Sequence, residues 1–214
     1  MSALPALAGW ENFYVILGSA AAALTGLTFV VVALAADANM THLSGLKTFV
    51  SPTVIHFSSA LWITAMCSVP RQTVMSLGIL ALASAVFGVS HTLTTMYRMA
   101  HMDRRDYAPV LQDWIWNGAL PLLGYALLGS GAGLVWFDSA AAGYLIGLSA
   151  LLLVFIGIHN VWDLAVWILA ERPSRRREIE AARRAHHQAQ ANAPGSAAGA
   201  DEHGAQREHP AQRE

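Results

Sequence analysis

The chain is dominated by long apolar stretches that contain no charged side chain. Asp, Glu, Lys and Arg are all absent from residues 72–97, 114–137 and 139–162. Such stretches are typical of transmembrane helices, because about 20 residues with a rise of 1.5 Å each cross the hydrocarbon core of the bilayer. A backbone in lipid must satisfy its own hydrogen bonds, which favours helices. The pattern therefore predicts an all-α integral membrane bundle.

Five transmembrane helices are predicted from the positions where polar and turn-forming residues interrupt the apolar pattern. Their approximate bounds are 13–36, 48–69, 73–97, 113–137 and 140–170. Between the second and third spans, Pro70 and Arg71 leave room only for a tight hairpin. Asp138 alone marks the connection before the fifth span, which would reach ~46 Å and must tilt, kink or protrude. Pro52 and Pro121 lie inside spans and are expected to bend them.

Lys and Arg are concentrated on one side of the predicted bundle, and these residues favour the cytoplasmic side. With five spans, ten of them lie near the membrane on that side, and only Arg71 lies on the other. The ten are Lys47, Arg98, Arg104, Arg105, Arg172, Arg175, Arg176, Arg177, Arg183 and Arg184. This bias predicts an N-terminus outside and a C-terminus in the cytoplasm. The stretch "VALAADA" is similar to a signal-peptidase site, but residues 1–12 carry no Lys or Arg, which argues against cleavage.

The composition agrees with a membrane domain and suggests where it ends. Charged residues make up 13% of the chain, against about 25% in soluble domains, and the mean hydropathy is +0.41. The membrane domain is expected to cover residues 1–171. Residues 172–190 predict a basic helical extension that either contacts anionic lipid headgroups or serves only as a topology signal. Residues 191–214 form a low-complexity polar tail that is expected to be disordered.

Small residues recur at a spacing of four in three of the predicted spans. They are Gly18, Ala22, Gly26, Gly129, Gly133, Gly143 and Gly147. This spacing lets helix backbones approach closely. We favour packing within the bundle. The alternative is a homo-oligomer interface, because the spacing alone does not identify the partner helix.

The stretch "IGIHNVWDLAVW" places polar and ionisable side chains inside the fifth span. His159 and Asp163 are four residues apart, so they share one helix face, and Asn160 lies beside them. A lone ionisable side chain that faces lipid costs about 2.5–3.5 kcal/mol on insertion scales, so such groups usually face the bundle interior. We therefore expect these three side chains to belong to a buried polar layer.

Three further polar residues lie at a similar depth in other spans. His56 is in the second span, His91 in the third and Asn117 in the fourth. The match in depth predicts that the layer lies in the cytoplasmic half of the bilayer. It also predicts that His56, His91 and His159 converge on one interior site, with Asp163 close enough to hydrogen-bond one of them. The second, third and fifth spans must then be neighbours.

Three interpretations of this layer stay open. In the first, it is structural, and its side chains hydrogen-bond between helices. In the second, two or three of His56, His91 and His159 bind haem or a divalent metal, with Asp163 orienting one of them. In the third, the residues shuttle protons or bind a small solute in an aqueous pocket.

No motif of known catalytic chemistry occurs in the sequence. It lacks HExxH, CxxCH, GxSxG and a Gly-rich phosphate loop, so we assign no catalytic residue. Cys67 is the only cysteine, which excludes an intrachain disulfide. We expect a non-enzymatic membrane protein with no nucleic-acid partner, and the main alternative is the cofactor- or proton-handling protein described above.

Four segments carry a resemblance to a known group of proteins. They are "GSAAAALTGLTFVVVAL", "FVSPTVIHF", "QDWIWNGALPLLGYALL" and "LLLVFIGIHNVWDLAVW". They resemble a family of small polytopic bacterial inner-membrane proteins that has no established function. The resemblance covers roughly residues 10–170 and implies a multi-pass protein of the bacterial cytoplasmic membrane. It implies no activity, cofactor or substrate.

Overall fold

The computed structural model describes residues 7–37, 43–101 and 110–191. All regular structure in these ranges is helical, which confirms the predicted all-α class. The six α-helices are α1 (Glu11–Asp37), α2 (Leu43–Cys67), α3 (Val74–Ala100), α4 (Leu111–Trp114), α5 (Leu120–Val135) and α6 (Ala141–Ala191). A π-helical turn, Ile115–Ala119, joins α4 to α5.

Within the described ranges, four helical segments are long and apolar enough to cross a membrane. They are Glu11–Ala33, Val74–Ala100, Leu111–Val135 and Ala141–Val166. They correspond to the first, third, fourth and fifth predicted spans. The second predicted span corresponds to α2, which is not among these four. The structure thus supports a membrane protein, and a count of five spans stays a prediction.

The two short connections predicted from the sequence are both tight. α2 ends at Cys67 and α3 begins at Val74. Arg71 between them has a left-handed backbone with φ of 58°, which a non-glycine residue adopts mainly in turns. Asp138, between α5 and α6, has φ of 49°. Thr73 then caps α3, because its side chain accepts from the Ser76 backbone N–H at 3.1 Å.

Two glycines permit the closest helix contacts in the bundle. A Cβ on Gly88 of α3 would lie 2.1 Å from the ring of Tyr125 on α5. A Cβ on Gly157 of α6 would lie 2.5 Å from the ring of Phe57 on α2. α5 also contacts α6 through Gly131. α5 therefore packs against both α3 and α6, and α2 contacts α6.

The seven small residues predicted to pack divide into two groups. Four of them meet a neighbouring helix: Gly18 at Thr64, Gly129 at Ala85, Gly143 at the Tyr14 hydroxyl and Gly147 at Phe13. Ala22 is exposed, and a Cβ on Gly26 or Gly133 would meet nothing within 4 Å. Packing within the bundle accounts for the first group only.

A π-helical turn directly precedes Pro121, where a bend is expected. Proline has no N–H and its ring clashes with the carbonyl four residues earlier, which here belongs to Asn117. The Leu120 N–H bonds the carbonyl of Ile115, five residues back, so the turn widens just before the proline. Pro52, in contrast, lies inside α2, which is helical throughout Leu43–Cys67.

The chain divides into two compact units, Met1–Trp167 and Ile168–Glu214. The second unit is helical as far as Ala191, and this includes the extension predicted at 172–190. The tail predicted to be disordered lies outside the described residues, apart from Ala191. The core of the first unit is formed by fully buried side chains, among them Tyr14, Phe57, Ile63, Leu77, Tyr125, Leu128, Ile146, Leu153 and Ile156.

Candidate functional site

The polar residues of the predicted layer form two clusters in the first unit. The His159 cluster consists of Gln112, Trp116, His159 and Asp163. The His56 cluster consists of His56, Ser59, His91 and Tyr125. The two amides of the layer form a separate pair, because Asn160 Nδ2 on α6 donates to Asn117 Oδ1 at 3.3 Å. Asn117 lies in the π-helical turn and is buried, so the widened turn carries an amide into the bundle.

In the His159 cluster, the imidazole is held on both sides. His159 Nε2 lies 3.1 Å from Asp163 Oδ2, which is the contact that their spacing predicts. The imidazole stacks on the Trp116 indole with centroids 3.6 Å apart. The side chains of His159 and Asp163 are 24% and 52% exposed, so the pair lies at the surface of the bundle and not in its core.

His159 Nε2 also lies 3.4 Å from Nε2 of Gln112 on α4. The two contacts require opposite states of the same ring nitrogen. Nε2 donates to Asp163 only when it carries a proton, and it accepts from the Gln112 amide only when it does not. The tautomer of His159 therefore decides whether Nε2 bonds within α6 or across to α4.

In the His56 cluster, a hydrogen-bonded chain joins α2 to α5. His56 is 1% exposed, and its Nδ1 lies 3.3 Å from the Tyr125 hydroxyl. That hydroxyl donates its only proton to Ser59 Oγ at 3.1 Å. His56 Nδ1 must therefore be the donor to Tyr125, because the phenolic oxygen has no second proton to give. In the neutral ring, Nε2 of His56 then carries a lone pair.

Two imidazole nitrogens of this cluster are buried without a hydrogen-bond partner in the protein. They are Nε2 of His56 and Nδ1 of His91. His56 lies on α2 and His91 on α3, where His91 stacks on Phe87 one turn earlier. A buried polar atom without a partner costs about 1–3 kcal/mol. Each of these nitrogens could accept a hydrogen bond from, or donate one to, a small polar species or a water molecule.

The three histidines do not form the single site predicted from their depth. Within the described ranges, no group of three or more His, Cys, Asp or Glu could hold a metal ion. A metal site built from all three histidines, one form of an alternative left open by the sequence, therefore has no support in this part of the chain. A site with two of the histidines stays a prediction. Two of the imidazoles instead face aromatic rings of the segment 111–135: His56 faces Tyr125, and His159 faces Trp116. His91 stacks on Phe87 of its own helix.

Comparison with protein families, with curated proteins and with solved structures finds no match to this chain. Any function must therefore be inferred from the geometry of its own residues.

Sequence reasoning missed most of the partners of the layer. Tyr125 and Ser59 link His56 to α5. The Trp62 indole N–H on α2 donates to Ser84 Oγ on α3 at 3.0 Å. One sequence feature could have indicated this link: Tyr125 is the only polar side chain in the apolar run "LLGYALL". A buried tyrosine hydroxyl usually hydrogen-bonds a partner.

Proposed function

We propose that this chain is a non-enzymatic, multi-pass protein of the bacterial cytoplasmic membrane that holds a proton or a small polar solute at His56 and His91. Membrane location is supported by the four long apolar helices. Bacterial origin is supported by the resemblance of residues 10–170 and by an arginine-rich composition, with twelve Arg and one Lys. The observation that carries the site is the pair of unpartnered buried nitrogens.

The proposal includes five membrane spans, namely the four long apolar helical segments and α2, which is the second span in chain order. α2 is packed among the apolar helices, since Phe57 contacts Gly157 of α6 and Thr64 contacts Gly18 of α1. Five spans with an outer N-terminus place the ten juxtamembrane Lys and Arg in the cytoplasm. The basic extension at 172–190 then faces the anionic headgroups of the inner leaflet.

The chemistry of the site favours proton handling over catalysis. A neutral imidazole has one nitrogen that donates and one that accepts, so it can relay a proton or hold a small polar solute. Nε2 of His56 offers a lone pair to an incoming proton or O–H group, while Nδ1 is held by Tyr125. His91 supplies the second nitrogen from α3. No nucleophile-base pair accompanies the two rings among the described side chains of this cluster, so a binding or transfer role fits it better than a bond-breaking one.

The proposal is tested with purified full-length protein in sealed liposomes that contain a pH-sensitive dye. After an external pH jump, we expect the wild type to change the internal pH faster than protein-free liposomes do. His56→Gln and His91→Gln should each return the rate to that of the protein-free control. His101→Gln is the matched control, because His101 is exposed and bonds only the carbonyl of Tyr97 among the described contacts. A wild type no faster than empty liposomes would refute the proton-handling role.

A further inference from the structure

A groove between α2 and α3 opens on the outer surface of the bundle. Its volume is about 470 Å³, which lies within the usual range for small-molecule sites. The rim includes Trp62 and Phe87, whose side chains are 52% and 57% exposed. The polar part of the lining includes Ser58, Ser59 and Tyr125. The groove is thus an apolar cleft with hydroxyl groups in its wall.

The groove lies near the middle of α3 along its length. Ser84 and Phe87 line it, and α3 runs from Val74 to Ala100. These two residues therefore lie roughly 15–20 Å along the helix axis from its start, at a rise of 1.5 Å per residue. In a hydrocarbon core of ~30 Å, the groove opens to the interior of the bilayer and not to its headgroups.

Among the described hydrogen bonds, two hydroxyls of the groove keep a free donor, that of the exposed Ser58 and that of Ser59, and only Ser59 belongs to the hydrogen-bonded chain from His56. The Ser59 oxygen accepts from Tyr125, which in turn accepts from His56. Its own proton is bonded to no acceptor in the part of the chain that the structure describes. Ser84, by contrast, is satisfied, since it accepts from Trp62 and donates to the carbonyl of Leu80. The chain from His56 thus ends in a hydrogen-bond donor at the groove.

We propose that this groove binds a lipid-soluble carbonyl compound of the bilayer interior, of the quinone class. One carbonyl oxygen accepts from the Ser59 hydroxyl, and the flat ring lies between Trp62 and Phe87, where aromatic rings pack favourably. Phospholipids are the competing occupant, but their ester carbonyls sit at the headgroup boundary, whereas quinones move through the hydrocarbon region. The proposal concerns binding alone, and it does not depend on proton transfer at His56 and His91.

The test measures how much of a benzoquinone with one isoprenoid unit is retained by nanodiscs of fixed lipid composition, with and without the full-length protein. We expect saturable excess binding of one molecule per chain. Ala83→Phe should abolish it, because Ala83 lines the groove. Val86→Phe is the matched control, since Val86 is exposed on the same helix outside the groove. Ser59→Ala should weaken binding about three- to tenfold, as expected for one lost hydrogen bond.

A second probe separates a carbonyl ligand from an acyl chain. The same isoprenoid tail without the quinone ring should show no saturable binding. The proposal is overturned if the tail alone binds as well as the quinone, if Ala83→Phe binds like the wild type, or if the wild type shows no saturable excess. Because this measurement involves no pH gradient, its failure leaves the proton-handling proposal standing, and failure of the proton assay leaves this one standing.

Discussion

The imidazole of His159 stacks on the indole of Trp116, with an angle of 22° between the rings and 3.6 Å between their centroids. The stack joins α6 to the π-helical turn, because Trp116 is the second residue of that turn. Asp163 lies at the edge of the same imidazole. The ring is therefore positioned by an aromatic face and by a carboxylate, and these two contacts differ in how strongly they should stabilise the bundle.

The stack should matter more than the ion pair. Trp116→Leu is expected to lower the free energy of unfolding by about 1 kcal/mol, since aromatic pairs contribute about 0.5–1.5 kcal/mol beyond their buried area. Asp163→Asn should change it by less than about 0.5 kcal/mol, because the carboxylate is half exposed and Asn preserves its shape. Unfolding in mixed micelles with increasing SDS measures both. A larger loss for Asp163→Asn than for Trp116→Leu would contradict this ranking.

The contact between Gly88 and Tyr125 should be intolerant of added volume. Gly88→Ala puts a methyl group into the phenol ring, and overpacking of this kind costs about 1–3 kcal/mol. Gly133→Ala is the matched control, because its Cβ would meet nothing within 4 Å. We expect the control to retain or slightly exceed wild-type stability in the same SDS titration. Equal effects of the two substitutions would show that α3 and α5 are not this close.

The Asn117–Asn160 pair should show a modest interaction energy. Interhelical hydrogen bonds in membrane proteins average about 0.6 kcal/mol in double-mutant cycles. A cycle built from Asn117→Ala, Asn160→Ala and the double variant should return a coupling of that size. A cycle built from Asn117→Ala and the distant Ser19→Ala is the control and should be additive within about 0.3–0.5 kcal/mol. Additivity in the first cycle would mean that the two amides do not interact.

Removing the Tyr125 hydroxyl should break the chain that joins α2 to α5. Tyr125→Phe keeps the ring that packs on Gly88 and removes the group between His56 and Ser59. Because it leaves Nδ1 of a buried imidazole without a partner, we expect a loss of about 1–3 kcal/mol. Tyr144→Phe, at an exposed tyrosine, should be neutral in the same titration. Loss of stability in both variants would point to a general effect of removing tyrosine hydroxyls.

Reporter fusions test the five-span topology. Fusions in the 98–109 segment and after Arg184 should report the cytoplasm, and fusions near Arg71 and Asp138 should report the periplasm. The physical reason is the excess of Arg on the first set of positions. A cytoplasmic signal at Asp138 would overturn the five-span arrangement.

The sequence by itself determined the elements and the local contacts. Uncharged apolar runs identified the helices, because in lipid the backbone has no alternative to internal hydrogen bonds. Pro70 and Arg71 located the hairpin that the structure contains. The contact between His159 and Asp163 followed from a spacing of four residues on one helix. Each of these depends only on neighbours in the chain.

Only the tertiary structure decided which faces of the helices meet. In water, an apolar stripe marks the side of a helix that is buried. In lipid, an apolar side chain can face either the bundle or the acyl chains, so hydrophobicity does not mark the buried face. Gly18 and Gly26 occur in the same small-residue pattern, yet only Gly18 meets a neighbouring helix. The same ambiguity made equal depth an insufficient guide for the histidines. His56 and His159 are predicted at comparable depth. In the structure, His56 contacts Tyr125 and His159 contacts Trp116, both in the segment 111–135.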